Sequence, residues 1–223
     1  MPKPLFSSKF IILKNNIYLI GGVTENSLTD NIYMTYIFRD GTLGKWISID
    51  PLPLKLVGHE VIATDKYVYV LGGITYDGTV KNYDDLNRLL RNVSLNIYRA
   101  KINCDGSFDL WEEHGFLPGF LSFFKAIKIK NRIYLLGGHN GPHVWSGIYT
   151  AEIDNEGNLG RWTTSSPLPE PSYIRDLTII DDRIYLLSEY EVKNNLKTVY
   201  TAPIDSNGVI GKWEKKIFTS IIV

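Results

Sequence analysis

The chain has 223 residues, with 24 Lys plus Arg and 24 Asp plus Glu, so its formal net charge is zero. This balance argues against a nucleic-acid-binding protein, and no apolar run approaches the roughly 20 residues that cross a bilayer. The only cysteine, Cys104, has no partner for an intramolecular disulfide, and the first residues lack the apolar core of a secretory signal. We therefore expect no nucleic acid and no membrane insertion, and a cytoplasmic or virion-associated location.

One apolar segment that ends in a glycine pair recurs along the chain. Its clearest copy is 131–138, with further copies at 16–22 and 66–73 and a copy without glycines at 182–189. A tryptophan follows each copy, and these tryptophans are 65, 51 and 51 residues apart: Trp46, Trp111, Trp162 and Trp213. A period of about fifty residues is typical of a propeller blade. Because one such unit is too short to bury a core alone, we expect a single domain over 1–223. Its repeats are predicted at about 1–51, 52–116, 117–167 and 168–223.

Four short strands, A to D, are predicted in each repeat. In the first repeat, strands A and B flank Asn15-Asn16, and strands C and D flank Asp40-Gly41. Both dipeptides favour tight hairpin turns between antiparallel strands. A small residue recurs at one position of strand C and indicates close packing between sheets: Thr35, Ala100, Ala151 and Ala202. Pro203 lacks an amide hydrogen, so the last strand C is predicted to be irregular there.

The second repeat carries 14 more residues than the others, the difference between 65 and 51, in the loop from strand B to strand C. Within it, 84–91 has acidic residues first, basic residues last and leucines at helical spacing. This pattern predicts a short helical insertion that caps one face of the second blade.

The pattern of each repeat resembles kelch repeats: an apolar strand that ends in Gly-Gly, a tyrosine in strand C, a tryptophan in strand D, then Pro-Leu-Pro. The resemblance covers essentially the whole chain. It implies an all-β fold, a β-propeller of four kelch-like four-stranded antiparallel blades. Kelch propellers usually have more than four blades, so the chain is expected either to close as a small ring or to associate with another chain.

The long B–C and D–A loops leave one face of such a propeller, and loops on a rigid scaffold commonly carry binding residues. The loop 139–145 contains two histidines and Trp145, the one tryptophan outside the repeat pattern. This tryptophan either anchors a partner or packs under its own loop. We predict the following partner contacts: His139, Asn140, His143, Trp145, Tyr173, Arg175, His59 and Tyr76. No catalytic residue, metal or cofactor is predicted, since two loop histidines without nearby acids are a weak metal signal.

One position of strand A alternates in charge from blade to blade, as Lys9, Glu60, Lys125 and Asp176. We interpret this alternation mainly as ion pairing between neighbouring blades, which would add little stability where the pairs are exposed.

The leading hypothesis is a non-enzymatic binding module that recognises a protein or a surface glycan through the B–C and D–A loop face. A first alternative follows from the resemblance, because some relatives of this fold act on sugars. It is a sugar isomerase or mutarotase at the channel mouth, using Arg175, His59 and Glu60. A second alternative is a structural subunit of a virion or an appendage. Such a subunit could form a homo-oligomer through its blade edges or its apolar tail, 217–223.

Overall fold

A computed structural model describes residues 5–79, 92–140, 143–189 and 197–218. Every helix or strand within these ranges is a β-strand, so the all-β prediction is confirmed there. The helix predicted at 84–91 lies outside the described residues. Within the described ranges, no helix has the length and apolar character needed to cross a membrane.

The chain divides into two compact units, Met1–Ser122 and Phe123–Val223. The first unit holds blades 1 and 2, in which neighbouring strands pair in chain order. Blade 1 consists of β1 (Lys9–Leu13), β2 (Asn16–Ile20), β3 (Ile32–Tyr36) and β4 (Ile47–Ile49). Blade 2 consists of β5 (Glu60–Ala63), β6 (Tyr67–Leu71), β7 (Asn96–Lys101) and β8 (Glu112–Phe116), and the short β9 (Leu121–Ser122) follows it.

The second unit holds blades 3 and 4, which have the same antiparallel order. Blade 3 consists of β10 (Lys125–Ile129), β11 (Arg132–Leu136), β14 (Ile148–Glu152) and β15 (Thr163–Ser165). A small hairpin between its second and third strands is formed by β12 (His139–Asn140) and β13 (His143–Val144). Blade 4 consists of β16 (Tyr173–Ile180), β17 (Arg183–Glu189), β18 (Lys197–Pro203) and β19 (Glu214–Phe218). The prediction of four four-stranded antiparallel blades is thus confirmed.

Within each unit, the core lies between two consecutive blades. In the first unit, the Tyr18 hydroxyl donates a hydrogen bond of 2.7 Å to the backbone oxygen of Gly106, in the last turn of blade 2. In the second unit, the Tyr134 hydroxyl donates one of 2.9 Å to the backbone oxygen of Gly208. The small residues predicted to allow this close approach are all buried: Thr35, Ala100, Ala151 and Ala202.

The irregularity predicted at Pro203 is wrong. Pro203 pairs with Arg183, and the register between β17 and β18 is continuous. Pro203 is the last residue of its strand, and its carbonyl oxygen still accepts a hydrogen bond of 2.8 Å from the amide of Gly211. A proline is tolerated at such a place because no further ladder bond depends on its missing amide hydrogen. The register of blade 4 shifts instead between Ile174 and Asp176, which leaves Arg175 as a bulge residue.

Candidate partner-binding surface

Three aromatic rings meet at the surface of the second unit, and we call Phe123, His139 and Tyr173 the aromatic cluster. The His139 ring lies between the other two, with ring centroids 6.2 Å from Phe123 and 5.2 Å from Tyr173. Phe123 is 38% exposed and Tyr173 is 50% exposed. The cluster therefore offers apolar ring surface to solvent.

The backbone of Phe123 adopts the left-handed conformation, with a φ of +51°. The same conformation occurs two residues before the first strand of blades 1 and 2, at Ser7 and Gly58, with φ of +53° and +66°. The repeat therefore imposes this turn, and blade 3 alone among these three places a large side chain there. For a bulky residue this conformation costs about 1 kcal/mol or more, and such strain often marks a functional position.

His139 is held by the β12–β13 hairpin. The chain leaves β11 through Gly137 and Gly138, both at positive φ, and the amide of Trp145 then donates 2.8 Å to the oxygen of Gly138. Burial lowers the pKa of His139 below its usual value, because a desolvated imidazole disfavours the charged form. His139 thus acts at neutral pH mainly as an uncharged aromatic ring.

Arg175 lies near Tyr173 in the first part of β16. Its side chain is exposed. Because Arg175 lies at the bulge, its side chain does not follow the regular alternation of side chains between the two faces of the strand. A bulge re-aims the side chain that it carries, and bulges are common beside functional sites.

Trp145 and His143 occupy different positions in the hairpin region. Trp145 is half-buried, and its indole packs so tightly on Gly147 that a Cβ there would lie 2.1 Å from Nε1. The interpretation that this ring packs under its own loop therefore gains support. His143 is exposed and pairs with Asn140 in the backbone register. Since neighbouring strand residues face opposite ways, His143 and His139 project from opposite faces of the hairpin and do not form a shared metal site.

Across the described part of the chain, no group of three or more His, Cys, Asp or Glu residues is placed to hold a metal ion.

The other two predicted contacts lie in the first unit. His59 is completely buried, and a Cβ on Gly21 would lie 2.8 Å from its Cε1 atom. Tyr76 is partly buried and packs against a small cluster of Leu28, Val57 and Ile74. The second unit thus brings His139 and Tyr173 together, whereas His59 reaches no solvent.

Glu60, next to His59, is 6% exposed. Its carboxylate forms an ion pair of 2.5 Å with the ammonium of Lys9. This contact joins blades 1 and 2 and confirms the predicted ion pairing between neighbouring blades for this pair.

Phe123 belongs to the cluster but was not among the predicted contacts. It adjoins Phe124, which is buried in the core, and a Phe-Phe pair gives no indication of which ring faces solvent. A signal is present nevertheless, because the equivalent positions in blades 1 and 2 carry the turn residues Ser7 and Gly58. A phenylalanine at a turn position departs from the composition that turns favour.

The chain is similar to several known proteins that carry kelch repeats or domains in their names. The chain is 26% identical over 200 residues to Kelch repeat and BTB domain-containing protein 12 of Danio rerio, a match that covers 84% of the chain and 30% of that protein. It is 27% identical over 182 residues to Kelch-like protein 40 of Xenopus laevis, covering 82% of the chain and 26% of that protein. It is 24% identical over 187 residues to Kelch domain-containing protein 10 of Homo sapiens, covering 77% of the chain and 37% of that protein.

The chain therefore spans between 26% and 37% of the length of these three relatives. No family model matches it. The curated relatives are nonetheless kelch proteins, and the four described sheets are those expected of kelch blades. These similarities agree with the glycine pairs, the spaced tryptophans and the four sheets. The described part of the chain is accordingly a four-blade β-propeller whose blades are consistent with kelch repeats.

Proposed function

We propose that this chain is a protein-binding module whose partner contacts the aromatic cluster, Arg175 and the β12–β13 hairpin. The observation that carries the proposal is the cluster itself, in which two exposed rings flank a neutral imidazole at ring distances of 5.2 and 6.2 Å. His59 is left out of this surface because it is buried.

The chemistry of the cluster suits a protein partner. Aromatic side chains supply a large contact area at a small cost in conformational entropy, and tyrosine and arginine are enriched among the residues that dominate binding energy. Because the Phe123 turn is fixed by the repeat backbone, the cluster is organised before a partner arrives, which lowers the cost of ordering it. The kelch relatives support a protein-binding role for a propeller of this kind.

The test is a selection from a displayed library of random peptides on the wild-type chain, followed by affinity measurements with purified variants. We expect Tyr173→Ala and Phe123→Asn each to weaken binding of the selected peptides at least tenfold, which corresponds to about 1.4 kcal/mol. Asparagine is chosen at 123 because it tolerates the left-handed backbone that Phe123 adopts.

Tyr36→Ala is the matched control, because Tyr36 is also an exposed aromatic residue, 5.3 Å from the ring of Phe38, and lies in the first unit. It should bind the peptides as the wild type does. Equal binding by wild type, Tyr173→Ala and Phe123→Asn would contradict the proposal, provided that thermal unfolding shows the variants to be folded.

A surface glycan is the second candidate, because the exposed ring of Tyr173 can also pack on a sugar face. A glycan array probed with the wild type and with Tyr173→Ala separates the two candidates. A glycan signal that disappears in Tyr173→Ala, together with no enriched peptide, would replace the protein partner by a carbohydrate. The sugar-isomerase alternative gains no support, since His59 is buried and Glu60 is paired with Lys9.

A further inference from the structure

The connection from blade 3 to blade 4 leads directly into Tyr173 of the aromatic cluster, and we call residues 167–172 the crossover segment. It contains three prolines, each of which fixes its own φ, so the segment has few alternative conformations. Leu168 is buried, and its amide donates a hydrogen bond of 2.8 Å to the backbone oxygen of Ser146. Since Ser146 lies in the loop that follows the β12–β13 hairpin, the crossover segment connects this loop to one ring of the cluster.

Glu170, in the middle of the crossover segment, makes two polar contacts with blade 4. Its carboxylate accepts a hydrogen bond from the Tyr200 hydroxyl on β18 and one of 2.5 Å from the Lys215 ammonium on β19. Both hydrogen bonds, that from Lys215 first, lower the pKa of the Glu170 carboxyl, which is therefore ionised at neutral pH. Tyr200 is completely buried, whereas the side chains of Glu170 and Lys215 are 28% and 35% exposed. A buried hydroxyl thus anchors the segment to the sheet of blade 4.

Ser172 attaches the end of the crossover segment to the same tyrosine. Its side chain is completely buried. The hydroxyl donates a hydrogen bond of 3.1 Å to the backbone oxygen of Glu170 and lies 3.4 Å from the hydroxyl oxygen of Tyr200. Tyr173 is the next residue in the chain. The backbone that carries the Tyr173 ring is therefore held on its N-terminal side by Tyr200.

In blades 1 and 2, the equivalent tyrosine of the third strand is held differently. Tyr33 and Tyr98 occupy the place of Tyr200, and each accepts a hydrogen bond from an asparagine on its own strand side. The donors are Asn31, at 3.3 Å, and Asn96, at 2.9 Å. In blade 4 the tyrosine hydroxyl instead donates to a residue of the crossover segment.

Both charged partners of this contact also depart from the repeat. Glu170 stands where the two earlier crossovers carry Leu54 and Gly119. Lys215 pairs with Tyr200 in the strand register. The corresponding positions of the other blades carry neither a lysine nor an arginine: Ser48, Glu113 and Thr164. The repeat does not require these residues, and their addition lies directly before Tyr173.

We propose that Glu170 and Tyr200 are positioning residues that hold Tyr173 in place, relative to His139, for the partner. The inference rests on the proposed function of the aromatic cluster. His139 and Tyr173 lie on different elements, β12 and β16, and the crossover segment is bonded beside both. Without the Glu170–Tyr200 contact, the segment before Tyr173 would be ordered only when the partner binds, which weakens affinity. Tyr200 itself is completely buried and acts through Glu170.

The first experiment measures the affinity of purified variants for a peptide selected on the wild-type chain. Tyr200→Phe removes one hydroxyl, keeps the buried ring and should weaken peptide binding by about 3- to 10-fold. Glu170→Ala should weaken it at least as much, and Glu170→Gln should lose less because it keeps an oxygen for the Tyr200 hydroxyl. Tyr98→Phe is the matched control, since it removes the equivalent hydroxyl in blade 2, and it should bind as the wild type does.

A second measurement separates positioning from a general loss of stability. In the free chain, Tyr200→Phe and Glu170→Ala should each speed hydrogen–deuterium exchange at residues 172–174 by about 3- to 10-fold, with β10 and β11 unchanged. Adding Tyr200→Phe to Glu170→Ala should weaken peptide binding little further, because both changes remove the same contact.

The outcomes distinguish failure of the positioning role from failure of the proposed function. If Tyr173→Ala loses peptide binding while Tyr200→Phe and Glu170→Ala bind as the wild type does, the positioning role is overturned and the aromatic cluster remains the binding surface. Unchanged exchange at 172–174, or faster exchange spread equally over β10 and β11, would also overturn the positioning role. Wild-type binding by Tyr173→Ala would contradict the proposed function and the positioning role together.

Discussion

At the scale of single residues, His59 is a histidine that is completely buried. Burial, together with the positive charge of Lys9, lowers its pKa from 6.5 to about 3. The imidazole is therefore neutral in the folded protein at neutral pH. Its ring lies beside Gly21, and its backbone and Cβ lie beside Gly73.

The lowered pKa predicts a pH dependence of stability. In the unfolded chain His59 titrates near its ordinary value of about 6.5, so between that pH and about 3 the unfolded state binds a proton that the folded state does not. The free energy of unfolding should therefore fall as the pH drops through this window, by up to about 1.4 kcal/mol per pH unit from His59. Urea unfolding of the wild type and of His59→Gln, at several pH values within the window, measures it.

His59→Gln should be less stable at neutral pH but should show a flatter slope in the acid range. His143→Gln, at an exposed histidine, is the control and should keep the wild-type slope. An unchanged slope in His59→Gln would show that other groups account for the acid sensitivity, His139 among them, since burial lowers its pKa too.

At the scale of the strand and its turn, the glycine pairs explain why the second strand of a blade ends where it does. Gly72 and Gly73 both have positive φ, at +57° and +96°. At Gly73 a Cβ would lie 2.7 Å from the Cβ of His59 and 3.0 Å from its Cα. Glycine is thus required both for the backbone conformation and for the close approach of His59.

Gly73→Ala should lower the free energy of unfolding by about 2 to 4 kcal/mol, the sum of backbone strain and overpacking. Gly115→Ala is the comparison, because Gly115 has a φ of +127° but nothing within 4 Å of its Cβ position. It should cost about 1 kcal/mol from strain alone. Denaturant unfolding measures both variants, and equal losses would show that the contact with His59 is not the larger cause.

Some features of the strands can be predicted from the sequence, and others cannot. Strand order followed from the repeat, because periodic apolar runs and turn dipeptides depend on neighbouring residues. The bulge at Arg175 was not predicted, since a bulge depends on how two strands fit together and leaves no composition of its own. Pro203 was misread because its position within the strand was known only to within a residue or two.

At the scale of the whole molecule, a residue that differs from its counterparts in the other blades is informative. Phe123, Tyr185 and Leu43 are each ordinary residues in sequence, but each differs in exposure or residue type from its counterparts in other blades. The sequence predicted His139 and Tyr173 as contacts because they lie in or near the variable loops. It did not reveal the burial of His59, which depends on packing between blades 1 and 2.

The most direct test of the central claim is hydrogen–deuterium exchange of the wild-type chain with and without a peptide selected on it. If the aromatic cluster binds a partner, exchange should be slower at Phe123, along β12 and β13, and at the start of β16 when the peptide is bound. Unchanged exchange at all of these places with the peptide bound would contradict it.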